Sequence, residues 1–337
     1  MLLLAFLALL AITGETAPSP SGSPSETSAA PTAGPMTEVL ADVQARRWGA
    51  AEPALRAALV RAPQAPVLHF LLGETLAGLG RRAEAVTELE QAVALRPDRP
   101  RFWHSLARVE ADSGHCERAL VALDRALALA AEPVYQYDSA TCLVTLGRLQ
   151  PAAARLDRAL AGAPRHFAAL LLRATVARDL GDPQGARSFA DRALALAPFS
   201  PAAHTARGMA LLDLERPASA IDDFRAALTE APARYEAGYG LTQALRALDR
   251  RDEAAAELAR IQEFSRQRER AEELTAALQL APEATAQRVE LARLLLASGE
   301  ASAALRQLEV AVARASTDAA LQELLARAKE RKARWEP

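Results

Sequence analysis

Catalysis and metal binding need polar side chains at set spacings, so the histidines and cysteines of this 337-residue chain come first. The five histidines are His69, His104, His115, His166 and His204. They are scattered, and none forms a His-Glu-x-x-His pair on one helical face. No phosphate-cradling glycine loop and no Gly-x-Ser-x-Gly nucleophile turn occurs. Cys116 and Cys142 are too few for a cysteine zinc site. In an oxidising compartment they could pair as a disulfide; the other reading is two small buried side chains. The sequence therefore predicts no catalytic residue, no metal and no cofactor, and a chain that is not an enzyme.

Composition narrows the partners. Half the residues are hydrophobic but only 4% are aromatic, and alanine and leucine dominate, which favours helix over sheet. The formal net charge of −2 gives no bulk attraction to nucleic acid or anionic lipid. Residues 1–14 open with an unbroken apolar run, Met1–Ile12, too short for an unaided membrane span. Its length suits a secretory signal peptide, although no basic residue precedes it; a short membrane anchor is the alternative. Residues 15–35, rich in Ser, Pro, Thr and Ala, cannot bury enough surface to offset ordering entropy and read as a disordered linker.

The elements that must position any site follow from a repeat. A turn position recurs at Gly80, Gly114, Gly147, Gly181, Glu215 and Asp249, stepping by 34 residues and once by 33, and again at Gly299. Arg46 holds it upstream. Each unit reads as two amphipathic helices. The first runs, for example, from Pro66 to Leu79, with Leu68, Leu71, Leu72, Leu76 and Leu79 at helical spacing. Gly80 turns the chain, and the second helix ends before Pro97. Ala85 and Ala92, seven apart on one face, together with Gly73 on the first helix, let the two axes approach closely. Similar sets recur in the next four units, as Ala107, Ala119 and Ala126 show. His69 and His204 share a register, which predicts a helix-packing role for both.

This pattern of spacing, small residues, turn and terminal Pro resembles the tetratricopeptide repeat family over most of the chain beyond the linker. The resemblance implies an all-α, right-handed superhelical solenoid of antiparallel helix pairs, about eight units, closed by a C-terminal capping helix at Ala319–Lys332. The array is expected over 36–259. A discontinuity follows at 260–281, because Ile261 and Arg266 replace the small residue and the terminal Pro. Asp252–Leu280 then reads as one long helix, or two with a kink. A last unit and the cap fill 282–337.

The resemblance also implies a concave groove lined by first helices, which would hold partner proteins or peptides. Groove positions fall ten and six residues before each turn. They read Phe70 and Glu74, His104 and Arg108, Tyr137 and Thr141, Leu171 and Thr175, Thr205 and Met209, and Tyr239 and Gln243. The predicted partner-binding surface is Phe70, Glu74, His104, Arg108, Tyr137, Thr141, Met209, Tyr239 and Gln243, with Arg101, Arg178 and Arg246 near the same face. Aromatic and Arg residues are the types favoured at binding hot spots. The chain lacks Asn, and has Lys only at Lys329 and Lys332, so the family's carboxylate clamp built from Lys and Asn is not expected.

The sequence thus points to a noncatalytic scaffold for protein or peptide ligands, exported to the periplasm or anchored in the inner membrane facing it. Bacterial envelope assembly (pilus, secretion, outer-membrane biogenesis) is the expected setting. Membrane association is expected only through the N-terminus. The alternatives are a cytoplasmic location, a regulatory or recruiting subunit of an enzyme encoded elsewhere, and an RNA-binding helical repeat. The lack of a basic stripe disfavours the last, so no nucleic-acid partner is expected.

Overall fold

The computed structural model describes residues 35–315 and 317–333. The predicted export signal, and the linker apart from its last residue, lie outside the described residues. Contacts divide the chain into two units, at Pro164 and Arg165. The first holds α1 (Pro35–Gln44), α2 (Trp48–Arg61), α3 (Pro66–Gly78), α4 (Arg82–Leu95), α5 (Pro100–Asp112), α6 (Cys116–Leu129), α7 (Pro133–Thr145) and α8 (Leu149–Gly162). The second holds α9 (Phe167–Asp179), α10 (Pro183–Leu196), α11 (Pro201–Asp213), α12 (Pro217–Glu230), α13 (Tyr235–Ala247), α14 (Arg251–Leu280), α15 (Thr285–Ser298), α16 (Ala301–Arg314) and α17 (Ala319–Ala333). No strand occurs among the described residues. Each unit is a solenoid of helix hairpins in which consecutive helices pack together. None of the described helices is long and apolar enough to cross a membrane.

Helix starts and stops follow local chemistry. Proline stands in the first turn of α3, α5, α7 and α11, where its fixed φ and missing N–H cost nothing. The predicted turn residues end the first helices: Gly80, Gly114, Gly147, Gly181 and Gly299 have positive φ. So do Arg46, Glu215 and Asp249, at +55°, +57° and +56°. Gly80 shows the closure, with the N–H of Arg81 bonding back to Leu76 O at 2.9 Å. Glu215 adopts the same left-handed conformation with a side chain that disfavours it. Glu215→Gly is therefore expected to stabilise the second unit by roughly 0.5–1 kcal/mol, net of glycine's greater freedom when unfolded. A thermal melt reads this as a rise of a few degrees, and a fall would contradict the turn assignment.

The small residues are where the hairpins close. Ala85, Ala92, Ala119, Ala126, Ala152 and Ala159 are all fully buried. A Cβ on Gly73 would lie 2.6 Å from Leu89 Cγ. The size rule is also met by exchange. Phe224 is fully buried on α12 because Gly208 and Gly240 face it; a Cβ on either would stand 2.8 Å or 2.4 Å from its ring. Ile261, which departs from the small-residue column, sits against Gly238, whose added Cβ would meet it at 2.9 Å.

The fourth residue of several first helices ties the preceding linker down. The Nε2 of His69 donates to Pro63 O at 3.0 Å and that of His204 to Pro198 O at 2.9 Å. Trp103 Nε1 donates to Pro97 O at 2.9 Å, and Arg288 Nη2 to Pro282 O at 2.7 Å. The Nδ1 of His69 pairs with Glu88, and that of His204 with Asp223, both at 2.7 Å. The shared register of the two histidines thus reports helix packing, as the sequence predicts. Where Gly238 takes that position and has no side chain, Arg260 reaches back from α14 and donates to Pro232 O at 2.7 Å.

The predicted discontinuity is one continuous α14 of 30 residues, rather than two helices with a kink. Arg266 stands where other second helices meet proline, so nothing stops the helix. Its far half buries Leu274 and Leu278 against Leu291 of α15. The cap α17 places Leu321, Leu325 and Ala328 on the core of α15 and α16.

Candidate functional site

First helices stand side by side within each unit: α3 touches α5 and α5 touches α7, while α9 touches α11 and α11 touches α13. The predicted groove positions therefore fall on adjoining helices, but the two units use them differently. In the first unit they satisfy one another. Arg108 Nη2 donates to both carboxylate oxygens of Glu74 at 2.8 Å. His104 Nε2 meets Asp138 at 2.6 Å, and its ring lies 4.5 Å from that of Tyr135. Phe70 is not a solvent-facing groove residue. It is 5% exposed, stacked on Phe102 at 4.7 Å, with the Arg101 guanidinium 5.4 Å from its ring centroid. Tyr137 is half-buried, and its carbonyl accepts from Thr141 Oγ1 at 3.1 Å.

In the second unit the same face opens into a cleft of about 430 Å³. Thr175 and Arg178 line it from α9, Thr205 and Met209 from α11, and Tyr235 and Tyr239 from α13. The two tyrosine rings lie parallel, 8° apart in plane and 6.3 Å between centroids. They are 58% and 46% exposed. Arg178 reaches Asp179 at 3.3 Å and Asp213 at 4.0 Å. Arg234 Nε donates to Thr205 Oγ1 at 2.9 Å and lies 3.8 Å from Glu236. Gln243 and Arg246 are exposed further along α13, outside this lining.

Sequence reasoning missed Tyr235 and Arg234. A signal was present: Tyr235 opens its helix where α3, α5, α7 and α11 have proline. Replacing a good helix starter by an exposed aromatic sacrifices local preference, which is how binding residues stand out.

The remaining polar candidates hold the scaffold. His115 Nδ1 meets the buried Glu110 at 2.9 Å, and His166 Nδ1 accepts from the N–H of Ala169 at 3.1 Å, capping α9. Cys116 and Cys142 are buried and unbridged. Burial, and then the neighbouring Cys116 thiol, push the Cys142 thiol up to about 12. Among the described residues no cluster of three His, Cys, Asp or Glu side chains is placed to hold a metal ion.

Tetratricopeptide repeat models match residues 42–109 and 211–278, and a further one matches 137–201. These stretches make up more than half of the chain and fall on the hairpins described above. The chain belongs to the tetratricopeptide repeat family.

Solved repeat proteins share the fold. A tetratricopeptide repeat protein from Parabacteroides merdae superposes with a TM-score of 0.52 at 16% identity, covering 78% of this chain and 98% of that one. YrrB, described as a TPR protein with an unusual peptide-binding site, gives 0.50 at 17% identity, over 55% of this chain and 95% of its own. Protein FlbA of Caulobacter vibrioides is 32% identical over 119 residues, which is 33% of this chain and 20% of FlbA. The chain thus spans about a fifth of that relative's length.

Proposed function

We propose that this tetratricopeptide repeat chain is a noncatalytic scaffold that binds an extended peptide segment of a partner protein in the cleft of α9, α11 and α13. The observation that carries the reading is the exposed, parallel Tyr235–Tyr239 pair beside Arg178 and Arg234. Rigid aromatic rings offer contact area at low entropic cost, and Arg can grip a carboxylate through two parallel bonds. The peptide-binding site named for YrrB supports the class of ligand. The charges of the second-unit cleft meet their partners less closely, Arg178 at 3.3 and 4.0 Å and Arg234 at 3.8 Å against 2.8 Å for Arg108 and Glu74 in the first unit, so the cleft of the second unit is the preferred surface.

The setting we propose is the bacterial envelope, with the chain exported and serving pilus, secretion or outer-membrane assembly. The apolar run Met1–Ile12 and the Ser- and Pro-rich stretch after it support this placement. N-terminal sequencing of the protein from fractionated cells tests it: a mature start near Glu15 in the periplasmic fraction is expected, and an intact Met1 in the cytosol contradicts it.

The binding claim is tested by replacing both tyrosines. Peptides selected from a phage-displayed random library on the full chain are expected to bind the Tyr235→Ala/Tyr239→Ala variant at least tenfold more weakly, about 1.4 kcal/mol or more. Since both rings are exposed, the variant should keep its melting temperature. Equal binding by the folded variant would remove the cleft as the site.

A further inference from the structure

The chain has two cysteines, and both stand at one joint between hairpins of the first unit. Cys116 is the first residue of α6, two places after the turn residue Gly114. Cys142 lies on α7, five places before the turn residue Gly147. Helix α6 packs on α7, and both side chains are buried, 6% and 2% exposed. The Cys116 thiol is close enough to Cys142 to hold the proton on its sulfur. The same two places hold Arg82 and Val109 one repeat earlier, and Pro183 and Ala210 two repeats later. Thiols therefore occur on both sides of this joint and nowhere else in the chain.

A disulfide needs two Cβ atoms close together and two sulfurs that point at each other. Side chains that already meet through their thiols satisfy the second demand. The first is eased by position. The N–H of the first residue of a helix is not held by the helical ladder, so the start of α6 can shift slightly as the sulfurs close. Burial has a second effect. It pushes the Cys142 thiol up to about 12, which leaves little thiolate at neutral pH while the joint is shut. Exchange therefore takes place when α6 opens locally, or before the hairpins close.

We propose that Cys116 and Cys142 are a disulfide site, a covalent lock between consecutive hairpins that closes when the chain meets a disulfide oxidant. The step is thiol–disulfide exchange. One cysteine thiolate attacks the S–S bond of the oxidant, forming a mixed disulfide and releasing one thiolate. The other cysteine thiolate then attacks the protein sulfur of that mixed disulfide and expels the second. Two protein thiols become one S–S bond, and the oxidant takes up two electrons and two protons to leave as two thiols. The bond ties α6 to α7 and so fixes the spacing at which α5 and α7 touch. It is independent of the peptide-binding reading, because neither sulfur lies in the cleft of the second unit.

The test uses the full chain in a mixture of reduced and oxidised glutathione, with urea just below the unfolding midpoint so that the joint opens and recloses. After an acid quench, the intact mass is expected to be that of a monomer lighter by two hydrogens. After full denaturation no thiol should react with maleimide, and proteolysis should release the segments of Cys116 and Cys142 linked. With the urea removed, the oxidised chain is expected to melt roughly 5–10 °C above the same chain reduced with dithiothreitol. The Cys142→Ser variant should show no such difference between the two treatments. Two thiols that stay free, glutathione adducts, or disulfide-linked dimers in place of the internal bond would overturn the proposal. So would an internal bond that leaves the melting temperature unchanged or lowers it, since the native packing would then oppose the lock.

Discussion

Phe224→Ala is expected to destabilise the second unit by about 3–5 kcal/mol, a fall of roughly 10 °C in its melting temperature. The argument is one of volume. Phe224 is fully buried, and two of its neighbours are glycines placed to admit its ring. Removing the ring leaves Gly208 and Gly240 facing a void that neither can fill. The same geometry makes a second, sharper statement. Gly240→Ala alone puts a methyl group 2.4 Å from the Phe224 ring and should cost about 1–3 kcal/mol. Added to Phe224→Ala, it should cost nothing or recover some stability, because the clash is gone. A strictly additive double mutant would contradict the packing described here.

Removing the carboxylate of Asp223 is expected to cost about 2–4 kcal/mol, somewhat below a fully buried pair because Arg207 still reaches water. Asp223 is 3% exposed. It accepts from Arg207 Nε at 2.8 Å and Nη2 at 2.6 Å, and meets His204 Nδ1 at 2.7 Å. It therefore ties two points of α11 to α12, and His204 carries the tie on to the Pro198 carbonyl. Those bonds hold the Arg207 guanidinium above its ordinary pKa. Asp223→Asn keeps the shape but turns an N–H₂ toward donors, so it should destabilise nearly as much as Asp223→Ala. A denaturant melt of the three proteins checks this. An Asn variant as stable as wild type would mean that shape, rather than charge and acceptor count, holds the joint.

The hairpin architecture could be read from residues such as Gly80, Ala85 and Ala92 because each answers to a local constraint: one accepts positive φ, the others admit a neighbouring backbone. Glu215 and Asp249 kept the turn without glycine, and spacing alone located them. Ile261 read as a break in the small-residue column. Its compensation, Gly238, lies on another helix and shows only once the two are packed. The site was less legible for a related reason. Glu74 and Arg108 are one repeat apart, as are His104 and Asp138, and such pairs neutralise each other only because first helices stand side by side. Phe70 read as a groove aromatic, yet its ring is covered by Phe102. Tyr235 lies outside the ten-and-six register, so a rule built on that register passed over it.

The most direct measurement is hydrogen–deuterium exchange of the full chain, with and without a saturating selected peptide. Binding in the cleft predicts slowed exchange in α9, α11 and the start of α13, with the second helices α10 and α12 and the whole first unit unchanged. Protection confined to second helices, or to α3, α5 and α7, would contradict the account.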